Sequence, residues 1–512
     1  MSDQREAVRS NAKYLRNVRP IDPEEICEYV EGTPHPAVVR QHLRELAPER
    51  GLELIEREDG TFVPVDDDPV SPNRGPVEAF PADYSRALED LLVDRYGANW
   101  HADASGDLLR STVRRFKERY LEGRRVEYDD DVAAGYAIYH LPGYYAAVQY
   151  ALDDLAERGL LDRSLRVLDV GAGVGGPALG LADYLPDDAL LEYHAIEPSA
   201  AADVLEDLLP ETGRNVHTTV HRTTAEAFDP ATLGGAGDGE ERFDPTAPDD
   251  GFDLVLACNV LSELEVPAAV ARKYLRMLGP DGTFLAMAPA DKNTSIQLRD
   301  IERRLEDQQM RPDADEDGGT VTVYGPTVRL WPGERPDDRG WTFDARPDLE
   351  IPPFQRKLED AAPEGDPDHE PGEFVNVDVQ FSYSLLRLDG RRRIDVELDT
   401  GDWAKMAEMD RHVPNRIDVV GAKLSRSLSE SENGDGDVRG RSGPNPLFKI
   451  SDGSEDVDHY AVVTRETALN RPLLEADYGE VCSFEQALAL WNDDEGAYNL
   501  VVDEETIVDR IG

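Results

Sequence analysis

Short apolar runs alternate with amphipathic stretches through the middle of the chain, most clearly over residues 165–199. This stretch opens on an apolar run with Val167 and Val170, which is typical of a strand buried in a parallel sheet. A glycine-rich turn and a helical segment follow, and a second apolar run over residues 190–196 precedes the acid Glu197. A strand, a glycine turn, a helix and a strand that ends on a carboxylate predict one βαβ unit of a nucleotide-type fold.

The same alternation continues for about another hundred residues. It predicts strands over residues 216–221, 252–258 and 282–289, and helices over residues 201–209 and 266–278. Strands and helices that alternate at this spacing indicate a parallel, doubly wound sheet. The acidic, glycine-rich stretch 229–251 interrupts the pattern and predicts a solvated insertion.

Residues 21–65 predict a small module of two helices and a hairpin. Asp22-Pro23 is a helix start, residues 36–46 form a second helix, and Asp59-Gly60 joins two short strands. This order resembles a winged helix and leaves two functions open. The short, acidic module favours a structural or partner-docking cap over nucleic-acid binding. The candidate contacts for nucleic acid are Arg40, His42 and Arg44.

The remaining pattern divides the chain into four predicted parts. Residues 84–157 are mostly helical, residues 375–388 are strongly β-like, and the polar chain beyond them holds short β runs and a low-complexity loop at 425–446. The predicted boundaries are 1–70 for the winged-helix-like module, 75–160 for a helical lead-in, 161–390 for an α/β core with acidic insertions and 391–512 for a β-rich C-terminal domain.

One segment is basic in a chain that is otherwise acidic. Residues 110–125 carry seven Lys and Arg side chains on a predicted helix and its end. Such a face either pairs with neighbouring carboxylates or contacts the phosphate groups of RNA, and the sequence leaves both open. The candidate RNA-binding residues are Arg110, Arg114, Arg115, Lys117, Arg119, Arg124 and Arg125.

The glycine turn at residues 171–176 fits two cofactor templates. As GxGxxG it matches the dinucleotide fingerprint, and within DxGxGxG it matches enzymes that use S-adenosylmethionine. Asp169 decides between them, because a carboxylate repels a pyrophosphate but attracts the ammonium group of S-adenosylmethionine. The sequence therefore predicts a class I S-adenosylmethionine-dependent methyltransferase core with a Rossmann-like fold.

Further side chains are predicted to complete this site. We expect Glu197 to bind the two ribose hydroxyls and Glu226 to lie near the adenine, although Glu226 also fits a simple surface acid. Asn259 follows the fourth strand, where the methyl group is offered, and is the candidate catalytic residue. The predicted cofactor-binding residues are Asp169, Gly171, Gly173, Gly175, Glu197 and Glu226. No metal site is predicted.

The charge and the cysteine content indicate the salt concentration and the compartment in which the protein is expected to work. The 512 residues carry 54 Lys and Arg against 106 Asp and Glu, a formal charge of −52. Such self-repulsion destabilises a compact protein in dilute salt, whereas molar salt screens it within about 3 Å. We therefore expect a protein of an extreme halophile, with an acidic protein that binds basic partners as the alternative. The three cysteines are far apart and form no CxxC pair, and no apolar leader is visible, so a soluble cytoplasmic protein is expected.

Four segments carry a resemblance to a known family. They are HLPGYYAAVQYALDDLAERG, LRVLDVGAGVGGPALGLADYL, LVLACNVLSEL and VQFSYSLLRL. Over residues 130–465 the chain resembles the small-ribosomal-subunit methyltransferase-like family, which includes predicted ribosomal RNA methylases and mitochondrial small-subunit assembly factors. The resemblance implies an S-adenosylmethionine-type Rossmann core, a β-rich tail and association with the small ribosomal subunit and its RNA.

The chain departs from related patterns in two places. Many family members hold an iron–sulfur cluster on cysteines downstream of the core, but this chain has no cysteine between Asn259 and Val481, so no cluster is expected. Amine-methylating enzymes carry an Asn/Asp-Pro-Pro-aromatic loop where this chain has Asn259-Val260-Leu261-Ser262. Catalysis by alignment of the acceptor with the electrophilic methyl group remains possible without that loop.

Three functions follow from the sequence. The first is a methyltransferase acting on ribosomal RNA or a ribosomal protein of the small subunit. The added terminal modules and the basic segment favour such a large substrate over a small one, but they do not separate this function from the second. The second is a non-catalytic assembly factor of the small subunit that keeps the methyltransferase fold. The third is a small-molecule methyltransferase with accessory domains. The oligomeric state and the methylated atom are not predicted.

Overall fold

The computed structural model describes residues 2–73, 75–121, 126–233, 251–311, 319–363, 365–367, 369–429 and 445–511. The chain forms two compact units. The first comprises Met1–Phe243, Phe252–Leu256 and Pro347–Val379, and the second comprises Asp244–Gly251, Ala257–Arg346 and Gln380–Gly512. Most of the predicted insertion 229–251 and of the loop 425–446 lies outside the described residues. Among the helices of the described chain, none combines the length and the apolar character needed to cross a membrane.

The helices are α1 (Ser2–Leu15), α2 (Pro23–Tyr29), α3 (Pro36–Leu46), α4 (Ala82–Tyr96), α5 (Asp103–Leu121), α6 (Asp130–Ala156), α7 (Gly176–Tyr184), α8 (Ala201–Leu208), α9 (Pro267–Leu275), α10 (Lys292–Leu305), α11 (Pro353–Asp360) and α12 (Arg471–Glu475). The strands are β1 (Leu54–Glu56), β2 (Phe62–Pro64), β3 (Ser164–Val170), β4 (Leu190–Ile196), β5 (Val216–His221), β6 (Phe252–Cys258), β7 (Leu278–Pro289), β8 (Thr322–Gly325), β9 (Asp344–Arg346), β10 (Val379–Arg387), β11 (Arg416–Lys423), β12 (Leu447–Ser451), β13 (His459–Val463), β14 (Val481–Asn492), β15 (Ala497–Val502) and β16 (Ile507–Arg510).

A parallel sheet in the order β5-β4-β3-β6 forms the centre of the first unit. β3 is buried on both faces, as its near-continuous apolar run predicts. β3 has β4 on one side and β6 on the other, so the strand order reverses at β3. In open α/β sheets, ligands bind beyond the carboxyl end of the strand where the order reverses. The register pairs Val170 with Ile196, so the segments after β3 and β4 leave the sheet side by side.

Two glycines allow α6 to pack closely on α7. A Cβ atom at Gly176 would lie 2.6 Å from the Cβ of Tyr144, and one at Gly180 would lie 2.4 Å from the carbonyl oxygen of Tyr145. Both distances are too short for any side chain, so the helix contact requires glycine at these positions. Because α7 begins at Gly176, Tyr144 lies directly against the end of the glycine turn.

The N-terminal module has the element order of a winged helix, with α1 as a helix that the sequence did not predict. Asn215, just before β5, joins its hairpin to the parallel sheet. The Oδ1 of Asn215 accepts a hydrogen bond from the backbone N–H of Glu56 at 2.8 Å, and its Nδ2 donates to the carbonyl of Asp187 at 3.0 Å. Arg44 pairs with the buried carboxylate of Glu56 at 3.0 Å. These contacts favour the structural cap over nucleic-acid binding by this module.

Replacing Asn215 with alanine is expected to weaken the docking of the module. The change leaves the buried N–H of Glu56 without its acceptor, which costs about 1–3 kcal/mol of unfolding free energy. Thermal unfolding followed by circular dichroism measures the loss. The exposed neighbour Arg214 supplies the control, since Arg214→Ala is expected to change stability by less than about 0.5 kcal/mol. Equal losses in the two variants would contradict this role of Asn215.

The described residues of the second unit contain two groups of paired strands. In the first, β10 runs antiparallel between β7 and β8, and β9 also pairs with β10. In the second, the order β11-β12-β13-β15-β14-β16 closes on itself because β11 also pairs with β14. The ring itself consists of β11, β12 and β13, then α12, then β14 and β15, with β13 parallel to β15, while β16 pairs alongside β14. This connectivity of the five ring strands is that of an OB-type barrel. The predicted α/β fold with a Rossmann-like core and a β-rich C-terminal region is therefore confirmed.

Candidate functional site

The carboxyl edge of the parallel sheet brings together the acids that the sequence singled out. Asp169 lies in β3 opposite Ala195 of β4, and Glu197 follows β4 directly. The backbone N–H of Glu197 donates to the carbonyl of His221 at 3.1 Å, so the end of β5 reaches the same place. A carboxylate from β3 and one from β4 therefore border the crevice where the strand order reverses.

Asp169 is fully buried, and within the described part of the chain one of its two carboxylate oxygens has a hydrogen-bond partner and the other has none. Oδ2 accepts a hydrogen bond from the hydroxyl of Tyr193, whereas Oδ1 has none. Burial raises the pKa of Asp169 to about 7; the nearby Glu197 carboxylate adds to this rise and the Tyr193 hydroxyl opposes it. A buried acceptor without a donor is costly, so this geometry suits a cationic donor that arrives with a ligand.

The glycine turn after β3 forms an open backbone cradle. Gly171, Gly173 and Gly175 have φ values of 72°, 56° and 95°, a backbone region that residues other than glycine adopt rarely. A Cβ atom at Gly173 would meet no atom of the described residues beyond its chain neighbours nearer than the Gly171 carbonyl oxygen at 4.0 Å. The turn thus leaves room for a ligand to approach the backbone.

Both carboxylate oxygens of Glu197 accept hydrogen bonds from the protein, which fixes the side chain. Oε2 accepts a hydrogen bond from the N–H of Gly173 at 3.0 Å, which ties the acid to the glycine turn. Oε1 accepts from the backbone N–H of Ser199 at 2.9 Å and from its hydroxyl at 2.5 Å. The acid is therefore preorganised, and its remaining lone pairs can accept hydrogen bonds from hydroxyl groups of a ligand.

These residues fit S-adenosylmethionine. The unpartnered oxygen of Asp169 matches the ammonium group, and the fixed carboxylate of Glu197 matches vicinal ribose hydroxyls. A pyrophosphate would instead meet two buried carboxylates.

Glu226 is exposed in the turn after β5. Asn259, in the second unit, has a left-handed φ of 59° and donates its N–H to Met287 at 2.9 Å. The roles predicted for Glu226 and Asn259 stay predictions.

Three of the predicted RNA contacts are engaged within the first unit. Arg110 is 3% exposed and donates to the carbonyls of His101 at 3.0 Å and Leu358 at 3.3 Å, so its assignment to RNA is wrong. Arg114 forms a bidentate pair with Glu373 at 2.7 and 2.6 Å, and this pairing raises the pKa of Arg114.

The remaining basic side chains divide into three groups. Lys117 donates to the carbonyl of Glu373 at 3.2 Å and lies over the ring of Tyr139. Arg110 and Arg114 pair with the carboxylates of Asp107 and Glu373, which favours the alternative of a face that pairs internally, while the RNA roles of Arg114 and Lys117 stay predictions. Arg115 and Arg119 are exposed and keep their predicted role. Arg124 and Arg125 lie outside the described residues.

One cluster beside the cofactor turn was not predicted from the sequence. Tyr136, His140 and Tyr144 are half-buried and stand four residues apart, so they share one face of α6. Tyr128 packs edge-on against Tyr136 at 5.4 Å, and its carbonyl accepts a hydrogen bond from the N–H of Ala200 at 3.3 Å. The i, i+4, i+8 spacing was the signal that could have found them. We call these four residues the aromatic patch.

Comparisons with known proteins agree with the predicted class. Residues 168–284 match a family described as "Methyltransferase domain". Residues 5–58 and 407–511 match the N-terminal and C-terminal domains of a family of unknown function, DUF8157. No curated protein matches the chain.

Solved structures are similar to the chain at low identity. An O-methyltransferase from neocarzinostatin biosynthesis, solved with S-adenosylmethionine and 2-hydroxy-5-methyl naphthoic acid, is 16% identical over 56% of this chain and 79% of its own, with a TM-score of 0.23. A phosphoethanolamine N-methyltransferase of Haemonchus contortus is 20% identical over 33% and 35%, with a TM-score of 0.24. A putative methyltransferase from Thermoplasma acidophilum is 11% identical over 46% and 71%, with a TM-score of 0.25.

The matched domain and the geometry of the crevice together define the class. The chain is an S-adenosylmethionine-dependent methyltransferase, with the Rossmann-like core of the class I enzymes. S-adenosylmethionine is its cofactor. This confirms the prediction, based on Asp169, of an S-adenosylmethionine site over a dinucleotide site. Because the sequence identities and TM-scores of these solved structures are low, their acceptors are not carried over to this chain.

Proposed function

We propose that this methyltransferase acts on the RNA of the small ribosomal subunit. The observation that carries the catalytic part is the buried Oδ1 of Asp169, which has no donor among the residues that the structure describes. The resemblance over residues 130–465 supports the ribosomal acceptor. The OB-type connectivity of the C-terminal ring also supports it, because such barrels commonly bind oligonucleotides.

In this proposal the residues of the crevice bind and align the reactants. S-adenosylmethionine supplies an electrophilic methyl group on its sulfonium. Asp169 binds the ammonium group, Glu197 binds the ribose hydroxyls, and Glu226 lies near the adenine. Asn259 keeps its predicted role as the candidate catalytic residue, and alignment of the acceptor atom with the methyl group supplies much of the rate.

The exposed side chains of Arg115 and Arg119 are the proposed phosphate contacts on α5. They lie on the same helix as Arg110 and Arg114, whose guanidinium groups are held by protein partners. RNA binding would therefore use only the exposed part of the basic segment. The charge of −52 leads us to propose that binding takes place at high internal salt, where long-range repulsion between protein and RNA is screened.

Label transfer tests the proposal. The full chain in multimolar KCl is titrated with S-adenosylmethionine carrying a radioactive methyl group, and is then incubated with small ribosomal subunits from a strain that lacks the protein. We expect saturable binding of the cofactor and transfer of label to the subunit. Ribonuclease treatment then distinguishes label in RNA from label in ribosomal protein. Subunits from the parent strain, already methylated, serve as the control and should accept little label.

Each other outcome overturns a defined part of the proposal. Binding of the cofactor without transfer, combined with binding to the subunit, would indicate the non-catalytic assembly factor. Transfer to small molecules of a cell extract, and not to subunits, would indicate a small-molecule methyltransferase. Absence of cofactor binding would overturn the roles of Asp169 and Glu197 together.

A further inference from the structure

The aromatic patch borders both segments that hold the cofactor. Tyr144 lies against Gly176, where the glycine turn enters α7. At its other end, the carbonyl of Tyr128 accepts the N–H of Ala200, three residues after Glu197. The patch therefore lies next to the residues that receive the two ends of S-adenosylmethionine, all within the first unit.

The rings of the patch are arranged as a stack with polar edges. The imidazole of His140 stacks on Tyr144, with ring centroids 5.3 Å apart and planes 10° from parallel. Tyr136 lies 4.5 Å from His140, and its hydroxyl donates to that of Tyr144 at 3.1 Å. A fully buried core would cover these rings, but all three remain partly exposed. Half-exposed aromatic faces are a common binding surface for flat rings.

The surroundings of His140 define which of its nitrogens carries the proton. The side-chain amide nitrogen of Asn376 lies 3.5 Å from Nδ1 and also donates to the carbonyl of Tyr139 at 3.0 Å. An amide N–H can only donate, so Nδ1 accepts and the proton of the neutral ring is on Nε2. Burial, and to a lesser degree Lys117, lower the pKa of His140 to about 3, so the ring is neutral at physiological pH.

A second contact fixes this orientation. The backbone N–H of Asn376 donates to Oε1 of Gln355 at 3.0 Å, and Nε2 of Gln355 donates to the carbonyl of Ile138 at 2.8 Å. Gln355 is fully buried on α11. Asn376 is thus anchored to the helix that carries His140, and its amide is held beside Nδ1, which assigns the ring proton to Nε2.

We propose that the aromatic patch is the acceptor site of the enzyme, and that it takes a planar aromatic ring with a hydrogen-bond acceptor on its edge. The ring stacks on the exposed faces of the patch, and its edge receives the Nε2–H of His140. This inference rests on the proposed function. Two sources share this chemistry: an unpaired base of single-stranded RNA and a free small aromatic molecule. Under the proposed function the source is the base.

Binding measurements with defined probes test the site. The full chain is saturated with S-adenosylhomocysteine in multimolar KCl, and binding of a hexa-adenylate oligoribonucleotide is measured by equilibrium dialysis. An abasic ribose-phosphate hexamer reports the contribution of the backbone alone, and free adenosine is added as a competitor. We expect the hexa-adenylate to bind at least about tenfold more tightly than the abasic hexamer, because stacking of a base contributes about 1–3 kcal/mol.

Two variants separate the stack from the hydrogen bond. His140→Phe keeps a ring and removes the Nε2–H, and Tyr144→Leu removes one face of the stack. We expect each to weaken hexa-adenylate binding by about 5- to 100-fold while the dissociation constant of S-adenosylhomocysteine stays within about twofold. Tyr150→Phe, a hydroxyl deletion further along α6, is the matched control and should bind both ligands as the parent does.

The outcomes distinguish failure of this site from failure of the proposed function. If the parent does not bind S-adenosylhomocysteine, the proposed function itself is wrong. If the parent binds it and both variants bind hexa-adenylate unchanged, or if the parent prefers neither base-containing probe to the abasic hexamer, the acceptor site is wrong. Loss of S-adenosylhomocysteine binding in folded variants would make the patch part of the cofactor site and overturn the proposal. Full competition by adenosine at nucleoside concentrations equal to the hexamer would support the free small molecule as the source.

Discussion

Asp169→Asn is expected to abolish cofactor binding and, at the same time, to make the protein without cofactor more stable above pH 7. Both effects come from the same buried carboxylate. Among the described residues Oδ1 has no donor, so the negative charge is stabilised there by one hydrogen bond, from Tyr193. In the role that we propose for Asp169, this charge faces the ammonium group of the bound cofactor, and its removal leaves that cation without a counter-charge.

The pH dependence follows from the raised pKa of Asp169. In the unfolded chain this carboxyl loses its proton near pH 4, whereas in the folded protein it keeps the proton until about pH 7. The unfolded state therefore binds fewer protons between these values, and stability falls as the pH rises through this window. A difference of this size corresponds to about 4 kcal/mol of unfolding free energy above pH 7.

Asparagine removes this penalty but introduces a smaller one. Its oxygen can still accept from Tyr193, while its amide N–H takes the place of the unpartnered oxygen and costs about 1–3 kcal/mol. We therefore expect a net gain of roughly 1–3 kcal/mol at pH 8 and no gain, or a small loss, at pH 4. Thermal unfolding at both pH values measures the difference, and cofactor titration at pH 8 should show at least about a 100-fold loss of affinity.

Tyr193→Phe is the matched comparison, because it removes the hydrogen bond and keeps the charge. In this variant the carboxyl of Asp169 should hold its proton to higher pH, because the hydrogen bond that lowers its pKa is gone. The variant should therefore be less stable than the parent at pH 8 and should bind the cofactor best at a more alkaline pH. If Asp169→Asn instead loses the same stability at pH 4 and pH 8, the carboxylate has a partner in the protein without cofactor. Our inference that Oδ1 of Asp169 lacks a donor would then be wrong.

The core of the site was predictable because its signals are local. The apolar run of β3, the turn at Gly171 and the acid after β4 all fall within residues 165–199, and the fold of such a unit is dictated by period and turn chemistry. Asp169 could be singled out by its charge alone. Its partner could not, since Tyr193 meets Asp169 only through the register of two neighbouring strands.

The basic segment shows why other assignments failed. Its charge was visible in the sequence, but the acid that binds Arg114 is Glu373, 259 residues further along the chain. Arg110 is likewise bonded to a carbonyl of α11, at Leu358. A local run of cations has the same appearance whether it faces solvent or a distant carboxylate, so only the tertiary structure separates the two alternatives.

The closed ring of the C-terminal region could not be predicted from the sequence, because it also depends on contacts between distant residues. Its short strands predicted a β-rich domain, which is confirmed, but the closure depends on pairing between β11 and β14, about sixty residues apart. The four predicted domain boundaries also treat the chain as a linear series. The two compact units are instead each assembled from three separate segments, so these boundaries stay a prediction.

Arg303→Met is expected to cause the largest loss of stability in the second unit. Arg303 lies on α10 with no exposed side-chain surface, and its Nη2 donates to Oδ1 of Asp338 at 2.5 Å. Its Nη1 donates to Oε2 of Glu306 at 2.8 Å. Glu306 keeps Arg392 as a partner at 3.2 Å, whereas Asp338 loses its only direct ion pair among the described residues. A buried carboxylate stranded in this way costs about 3–5 kcal/mol.

The same helix offers a control of the same residue type. Arg304 is 62% exposed and pairs with Asp300 at 2.6 Å, so Arg304→Met should change stability by less than about 1 kcal/mol. Thermal unfolding at pH 7 compares the two variants. Burial raises the pKa of Asp338 and Arg303 opposes that rise, so in Arg303→Met the carboxyl should hold its proton to a higher pH. The deficit of this variant should therefore shrink as the pH falls toward 5.

A second substitution isolates the stranded charge as the cause. Arg303→Met combined with Asp338→Leu removes both charges and restores apolar contact, and such replacements of buried ion pairs are often neutral or stabilising. We expect the double variant to recover most of the stability lost in Arg303→Met, which gives a coupling energy of about 2–3 kcal/mol between the two sites. If the double variant is as unstable as the sum of the two single variants, Arg303 stabilises the unit through packing of its side chain, and the ion pair with Asp338 is not the cause.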